Sequence, residues 1–158
     1  MNQINTKGIS KFFRDSLRKF FEETDCYIFL IAKAYQKAHR ILQVRLKDFG
    51  LTNVQHLVLE ALWLFPGITG IELSRILNID KATLSGIIDR LHKGGWIEKK
   101  EDINDRRILR LYASQKSLDI KDELIHIRKS ANEELLSNFS LEEKILFKRF
   151  LLEILENK

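Results

Sequence analysis

The sequence predicts a mainly α-helical chain with one small antiparallel β-element, and three observations predict it. One proline and seven glycines stand among 158 residues, so little interrupts helices. Apolar residues recur at i, i+3, i+4 and i+7 through most of the chain, which is the helical period. Only between residues 96 and 112 does that period give way to short, branched, partly alternating runs, as in strands. Composition sets the outer bounds: 44% hydrophobic and 31% charged residues supply one packed core and a solvated surface, as in a single domain spanning 1–158. No apolar run approaches the ~18 residues of a membrane span, and Met1 to Ser10 lacks an apolar signal region, so a cytoplasmic protein with no membrane partner is expected. The single cysteine, Cys26, excludes an internal disulfide framework and most cysteine-based zinc sites.

The elements follow in order. Over residues 10–22, Phe13, Leu17, Phe20 and Phe21 share one face of a basic amphipathic helix, expected to pack on its own domain or on a second subunit. A long helix follows from Asp25 to about Phe49, bearing Tyr27, Ile28, Ile31, Tyr35, Ala38, Ile41, Leu42 and Leu46, and Gly50 stops it. Thr52 and Gln55 have capping-box spacing ahead of a helix expected to bury Val54, Leu57, Val58, Ala61 and Leu62, which Pro66-Gly67 ends. Thr69 and Glu72 repeat the signal before a short helix bearing Ile71, Leu73, Ile76 and Leu77. Asn78-Ile79 connects it to a helix over Lys81–Lys93, capped by Asp80 and closed by Gly94-Gly95. Two short helices joined this tightly have the spacing of a helix-turn-helix.

Strands are expected at residues 96–100 and 107–112, joined by the polar loop 101–106. A hairpin directly after a helix-turn-helix is a wing. Helix restarts at Ser114, with Leu118, Leu124, Ile127, Ala131 and Leu135 or Leu136 on its buried side. Ser140 and Glu143 form a third capping box before a last helix over 141–155, whose apolar surface exceeds what one face needs and suggests burial against a partner.

The helix Lys81–Lys93 carries the strongest functional signal. Its apolar Leu84, Ile87, Ile88 and Leu91 fall on one face. The opposite side is Ala82, Gly86, Asp89 and Lys93, flanked by Thr83, Ser85 and Arg90. Small side chains permit close approach to a major groove, hydroxyls reach base edges and cations meet phosphates. Asp89 runs against this pattern and needs a cytosine amino group or a nearby arginine as partner. Arg106 and Arg107 close the wing loop, where a guanidinium reaches the minor groove, and Asp105 stands beside them to orient it. Net charge is +5 at pH 7, and residues 1–50 carry ten Lys and Arg against five Asp and Glu, compatible with a polyanion.

The strings Leu51-Thr52-Asn53-Val54-Gln55, Glu72-Leu73-Ser74, Thr83 to Leu91 and Asp105-Arg106-Arg107 resemble the MarR family of bacterial winged-helix regulators, in order over roughly residues 25–155. The resemblance implies a winged helix-turn-helix lobe over 51–113 and a helical dimerisation lobe built from 1–50 and 114–158. It implies a homodimer on double-stranded, pseudo-palindromic operator DNA, acting as a repressor released by a small-molecule effector. It places Lys81, Ala82, Thr83, Ser85 and Gly86 in the groove and Arg106 or Arg107 at the wing tip; with Arg90 and Lys93 these form the candidate DNA-binding set. The sequence departs from the family after the second wing strand, where Ala113-Ser114-Gln115-Lys116-Ser117 replaces Leu-Thr-x-x-Gly, and the segment 1–24 is longer than the family's usual start, with no role implied for it.

The resemblance implies an effector pocket where the first and second helices meet the dimerisation lobe, with Tyr35, His39, His56 and Trp63 as its aromatic and polar candidates, although for each one alone ordinary core packing is the leading reading. An alternative sensor is Cys26, read as a redox-active thiol near the start of the first long helix, as the peroxide-sensing branch of the family implies. The four histidines form no i, i+4 pair, so no metal is expected, and no cofactor is implied. A Gly-rich phosphate loop, a nucleophile elbow and metal-ligand spacing are all missing, so the sequence does not predict an enzyme. A winged-helix module that binds protein rather than DNA is the remaining alternative.

Overall fold

A computed structural model of the chain describes residues 6–24 and 26–156. The chain divides into two compact units, Met1–Ala38 and His39–Lys158. Asp25, expected to begin the second helix, and the side chain of Phe13 lie outside the described residues, as do residues 1–5 of the leading segment.

The first unit holds α1 (Thr6–Thr24) and the first part of α2 (Tyr27–Leu46). Helix α1 extends further at both ends than its apolar pattern indicates. Phe12, Leu17 and Phe20 stand exposed on it, and Phe20 and Phe21 meet edge to face at 5.3 Å. Phe21 in turn stacks on Phe29 of α2 at 5.4 Å.

In the second unit, α2 tightens into a 3₁₀ turn over Lys47–Phe49 and stops at Gly50, whose φ of 64° is the left-handed conformation expected there. Gln43 locks the following junction, donating to the Leu51 carbonyl at 3.1 Å and accepting from the Asn53 amide at 3.3 Å. Helix α3 (Asn53–Leu64) begins with the expected reciprocal cap between Thr52 and Gln55. It buries His56, Val58, Leu59, Ala61 and Leu62, while Leu57, expected inside, is 44% exposed. The segment is apolar on nearly every side, so its periodicity does not select one face.

After α3 the chain forms a two-residue strand, β1 (Ile68–Thr69), absent from the sequence-based expectation. Helix α4 (Gly70–Leu77) opens on the Thr69–Glu72 capping box and buries only Leu73 fully. Asn78 adopts φ 50° and ends it, as a short polar residue can in the left-handed region. Helix α5 (Lys81–Lys93) starts at the Asp80 cap and buries Leu84, Ile87, Ile88 and Leu91, the four residues its period selects.

Strands β2 (Ile97–Glu101) and β3 (Leu109–Ala113) form an antiparallel hairpin, and β1 joins β3, giving the order β1-β3-β2. The expected continuous helix after Ser114 is broken: α6 (Gln115–Asp119) ends at Ile120 before α7 (Lys121–Leu135), and Leu118 is exposed. The Ser117 hydroxyl, fully buried, accepts from Trp63 Nε1 at 3.0 Å and ties α6 to α3. The last helix, α8 (Leu141–Glu156), has the reciprocal Ser140–Glu143 cap and buries no residue within the chain.

Within the second unit one core joins the end of α2, helices α3 to α5, the sheet and α7, built from Leu46, Leu51, Val58, Leu59, Leu62, Leu73, Leu84, Leu91, Ile97, Leu111 and Leu124. Each such side chain contributes roughly 1.5–3 kcal/mol on burial. That core holds α5 and the hairpin as rigid supports for their outward faces.

Candidate nucleic-acid interface

With Leu84, Ile87, Ile88 and Leu91 in the core, α5 must turn its other side out. Lys81, Ala82, Thr83, Ser85, Asp89, Arg90 and Lys93 are exposed, and Gly86 is half-buried among them. Asp80 accepts from the Thr83 amide at 2.9 Å, and hydrogen bonds from Thr83 hold its carboxyl below the usual range. A cap that is ionised and satisfied frees the other first-turn groups to face outward. A Cβ built on Gly86 would meet only Arg90 Nη1, at 3.7 Å, an ordinary contact. Internal packing therefore does not require glycine there. At the far end, His92 Nδ1 lies 3.1 Å from the Ile97 carbonyl and fixes the approach to β2.

Asp89 finds a lysine rather than the arginine expected. Lys99 of β2 donates to it at 2.6 Å, and this bond is the main cause of the carboxyl's lowered pKa. The pair joins the outer face of α5 to the wing. Lys81 and Ser85 of the helix, with Lys99 and Arg107 of the wing, line a cleft of about 550 Å³ between the two elements. Apolar Leu84, Ile88, Ile108, Leu109 and Leu111 and the acidic Glu72 line the same cleft, so helix face and wing meet across a mixed surface to which both elements bring cations.

Arg106 and Arg107 are both exposed at the end of the wing loop. Asp105 orients Arg107 as its position suggests, accepting from the Arg107 amide at 3.0 Å and standing 3.6 Å from its Nε. At the root of the loop, buried Asp102 accepts from the amides of Asn104 at 2.8 Å and Asp105 at 3.2 Å. It also pairs with Arg110 of β3, and that guanidinium is the main cause holding its carboxyl below the usual range. Arg110 further donates through Nη1 to the Gly67 carbonyl at 2.9 Å. Sequence reasoning missed Lys99, Asp102 and Arg110. Alternation along the strands identifies the faces of Lys99 and Arg110, but their partners lie on α5 and at the root of the wing loop, and loop residue Asp102 carries no periodic signal.

The four effector-pocket candidates fare differently. His56 is 2% exposed and its ring meets that of Trp63 at 6.3 Å. Its Nε2 is buried without a hydrogen-bond partner and lies 3.6 Å from Glu60, which pairs with Arg128. His39 is half-buried, its carbonyl accepting from Asn53 at 2.9 Å, and Tyr35, in the first unit, is exposed. Cys26 is a free, exposed thiol, and its neighbour Asp25 lies outside the described residues. Among the described residues no helix is long and apolar enough to cross a membrane.

Comparison with known proteins gives this surface its context. A profile of the MarR family matches residues 49–108, from the end of the 3₁₀ turn before α3 to the wing loop. The uncharacterized HTH-type transcriptional regulator YybA of Bacillus subtilis is 30% identical over 115 residues, covering 73% of this chain and 75% of its own length. The multiple antibiotic resistance protein MarR of Escherichia coli is 35% identical over 78 residues, 49% of this chain and 54% of that protein. The crystal structure of a mutant E. coli MarR complexed with operator DNA superposes with a TM-score of 0.77 at 26% identity, over 86% of this chain and 97% of that one. Family and fold are those of transcriptional regulators rather than enzymes. Profile, relatives and fold agree, and the chain belongs to the MarR family.

Proposed function

We propose that this protein is a dimeric, sequence-specific DNA-binding repressor released by a small molecule. One observation carries the reading: burial of Leu84, Ile87, Ile88 and Leu91 leaves a small, hydroxylated and cationic face on α5, beside a wing that presents Arg107 with a 95% exposed side chain. In this reading Ala82, Thr83, Ser85 and Gly86 approach base edges while Lys81, Arg90 and Lys93 meet phosphates. Arg106 and Arg107 enter the minor groove. The operator complex of E. coli MarR supports it through a shared fold.

Residues 51–113 then form the DNA-reading lobe, and the helices of 1–50 and 114–158 form the lobe that meets a second copy. Exposed apolar side chains on those helices support the assignment: Phe12, Leu17, Tyr27 and Ile28 at one end, Ile145, Leu152 and Leu155 at the other. Effector recognition is assigned to the neighbourhood of His56 and Trp63, where the buried imidazole Nε2 lacks a hydrogen-bond partner.

The test is selection of bound sites from a fragmented genomic DNA library, with the Arg106→Ala/Arg107→Ala double variant as control. An enriched palindrome with half-sites about one helical turn apart is the expected result. Binding to that site should weaken linearly in log K against log salt, as phosphate contacts dictate. No enrichment over the control, with no salt dependence, would reject the reading.

A further inference from the structure

The wing arginines sit on a loop with little core of its own, yet minor-groove insertion requires a defined direction of approach. A hydrogen-bond path runs from the floor of the helix-turn-helix to the wing tip. Arg110 lies on the central strand of the sheet, opposite Lys100 of β2 and Thr69 of β1. Its Nη1 donates to the Gly67 carbonyl at 2.9 Å, and its Nε donates to Asp102. Gly67 is itself fixed, since its amide donates to the Leu111 carbonyl at 2.9 Å and its φ is 82°. A Cβ there would come within 3.0 Å of the Tyr112 hydroxyl, so the turn keeps its glycine. On the other side, Asp102 Oδ1 collects the amides of Asn104 and Asp105, and Asp105 collects the amide of Arg107.

A planar guanidinium can hold two acceptors in a fixed relative orientation, which an ammonium cannot. Here the two acceptors belong to different parts of the lobe: the turn between α3 and β1, and the root of the wing loop. We propose that Arg110 is a positioning residue for DNA binding, orienting the wing loop through Asp102 so that Arg107 points into the minor groove. The inference rests on the DNA-binding reading above and deepens it. Arg110 need not touch DNA; it acts through Arg107.

That dependence makes the test a double-mutant cycle in the full-length protein, read by fluorescence anisotropy on the selected operator at several salt concentrations. Arg110→Met keeps the stem and removes both donors. It should weaken binding about tenfold when Arg107 is present, and less than about twofold in an Arg107→Ala background. Its salt slope should fall as that of Arg107→Ala does. Arg110→Lys, able to serve one acceptor at a time, should recover only part of the loss. Asp102→Asn is the second variant, weakening the same link from the opposite side; it should also lose its effect once Arg107 is gone. Amide hydrogen exchange of the free protein should speed up at Asn104, Asp105 and Arg107 in Arg110→Met while the amides of α5 stay protected. Equal losses in both Arg107 backgrounds would overturn the positioning role and leave a structural residue or a direct contact. Wild-type protein that fails to bind DNA with any salt dependence would instead reject the underlying reading.

Discussion

Lys99 on β2 donates to Asp89 on α5 across 2.6 Å, so the one carboxylate on the outward face of the helix is tied to the wing. Free, that carboxylate would repel phosphates approaching the face proposed to read DNA; paired, it links the helix to the wing. Lys99→Met should therefore weaken operator binding about tenfold, by losing a cation and by unmasking Asp89. Adding Asp89→Asn should recover part of the loss. Anisotropy titrations check this, and a double variant no better than Lys99→Met would show that Asp89 is harmless when free.

Arg107 has a 95% exposed side chain, its amide held by Asp105. Removing it costs the core nothing. Arg107→Ala should lower operator affinity by ~1–3 kcal/mol with an unchanged melting temperature. Unaltered affinity in a folded variant would move the wing contact to Arg106.

Gly86 separates folding from function. Glycine in a helix interior costs about 1 kcal/mol relative to alanine, and the added methyl would meet only Arg90 Nη1 at 3.7 Å. Gly86→Ala should raise the melting temperature while weakening DNA binding, because the methyl stands between the helix and the groove. A variant that is more stable and binds as before would place Gly86 outside the contact.

His56 predicts a pH dependence. Burial, acting against the nearby Glu60 carboxylate, holds the imidazole below its usual range. The unfolded chain then binds more protons than the folded one below about pH 6.5, so stability is complete above that value and declines as pH falls. His56→Gln should flatten the melting temperature between about pH 7.5 and 5.5, a window above the range in which carboxylates titrate. A wild-type melting curve independent of pH across that window would contradict a neutral, buried His56.

The parts of the fold legible in the sequence are those set by neighbours three or four residues away. The caps at Thr52, Thr69, Asp80 and Ser140 stand where the spacing of donor and acceptor puts them, and the buried face of α5 follows from one period. What was not legible depends on partners distant in the chain. Strand β1 exists because Ile68 and Thr69 pair with Leu111 and Arg110, some forty residues on. Leu59 rather than Leu57 is buried because Leu57 to Leu64 is apolar except for Glu60, and the neighbouring elements choose which of its leucines turn inward. Lys99 and Arg110 read as ordinary strand charges until folding sets Lys99 against Asp89 of α5 and Arg110 against Asp102 of the wing loop.

Helix α8 places Leu141, Ile145, Leu152 and Leu155 within one stripe at helical spacing, 69%, 62%, 46% and 77% exposed. At roughly 1.5–3 kcal/mol per buried side chain, such a stripe from each of two protomers is large enough to offset an association cost of about 4–15 kcal/mol. None of these side chains is buried in the monomer. Ile145→Asp/Leu152→Asp should therefore give a monomer by light scattering, with the helix-turn-helix still folded because none of its core residues is touched. The monomer should meet one half-site, so its salt slope should fall to about half that of the wild type. If the variant remains dimeric, the interface lies elsewhere on the terminal helices. A monomer that binds the palindrome with wild-type affinity and slope would remove dimerisation from the mechanism.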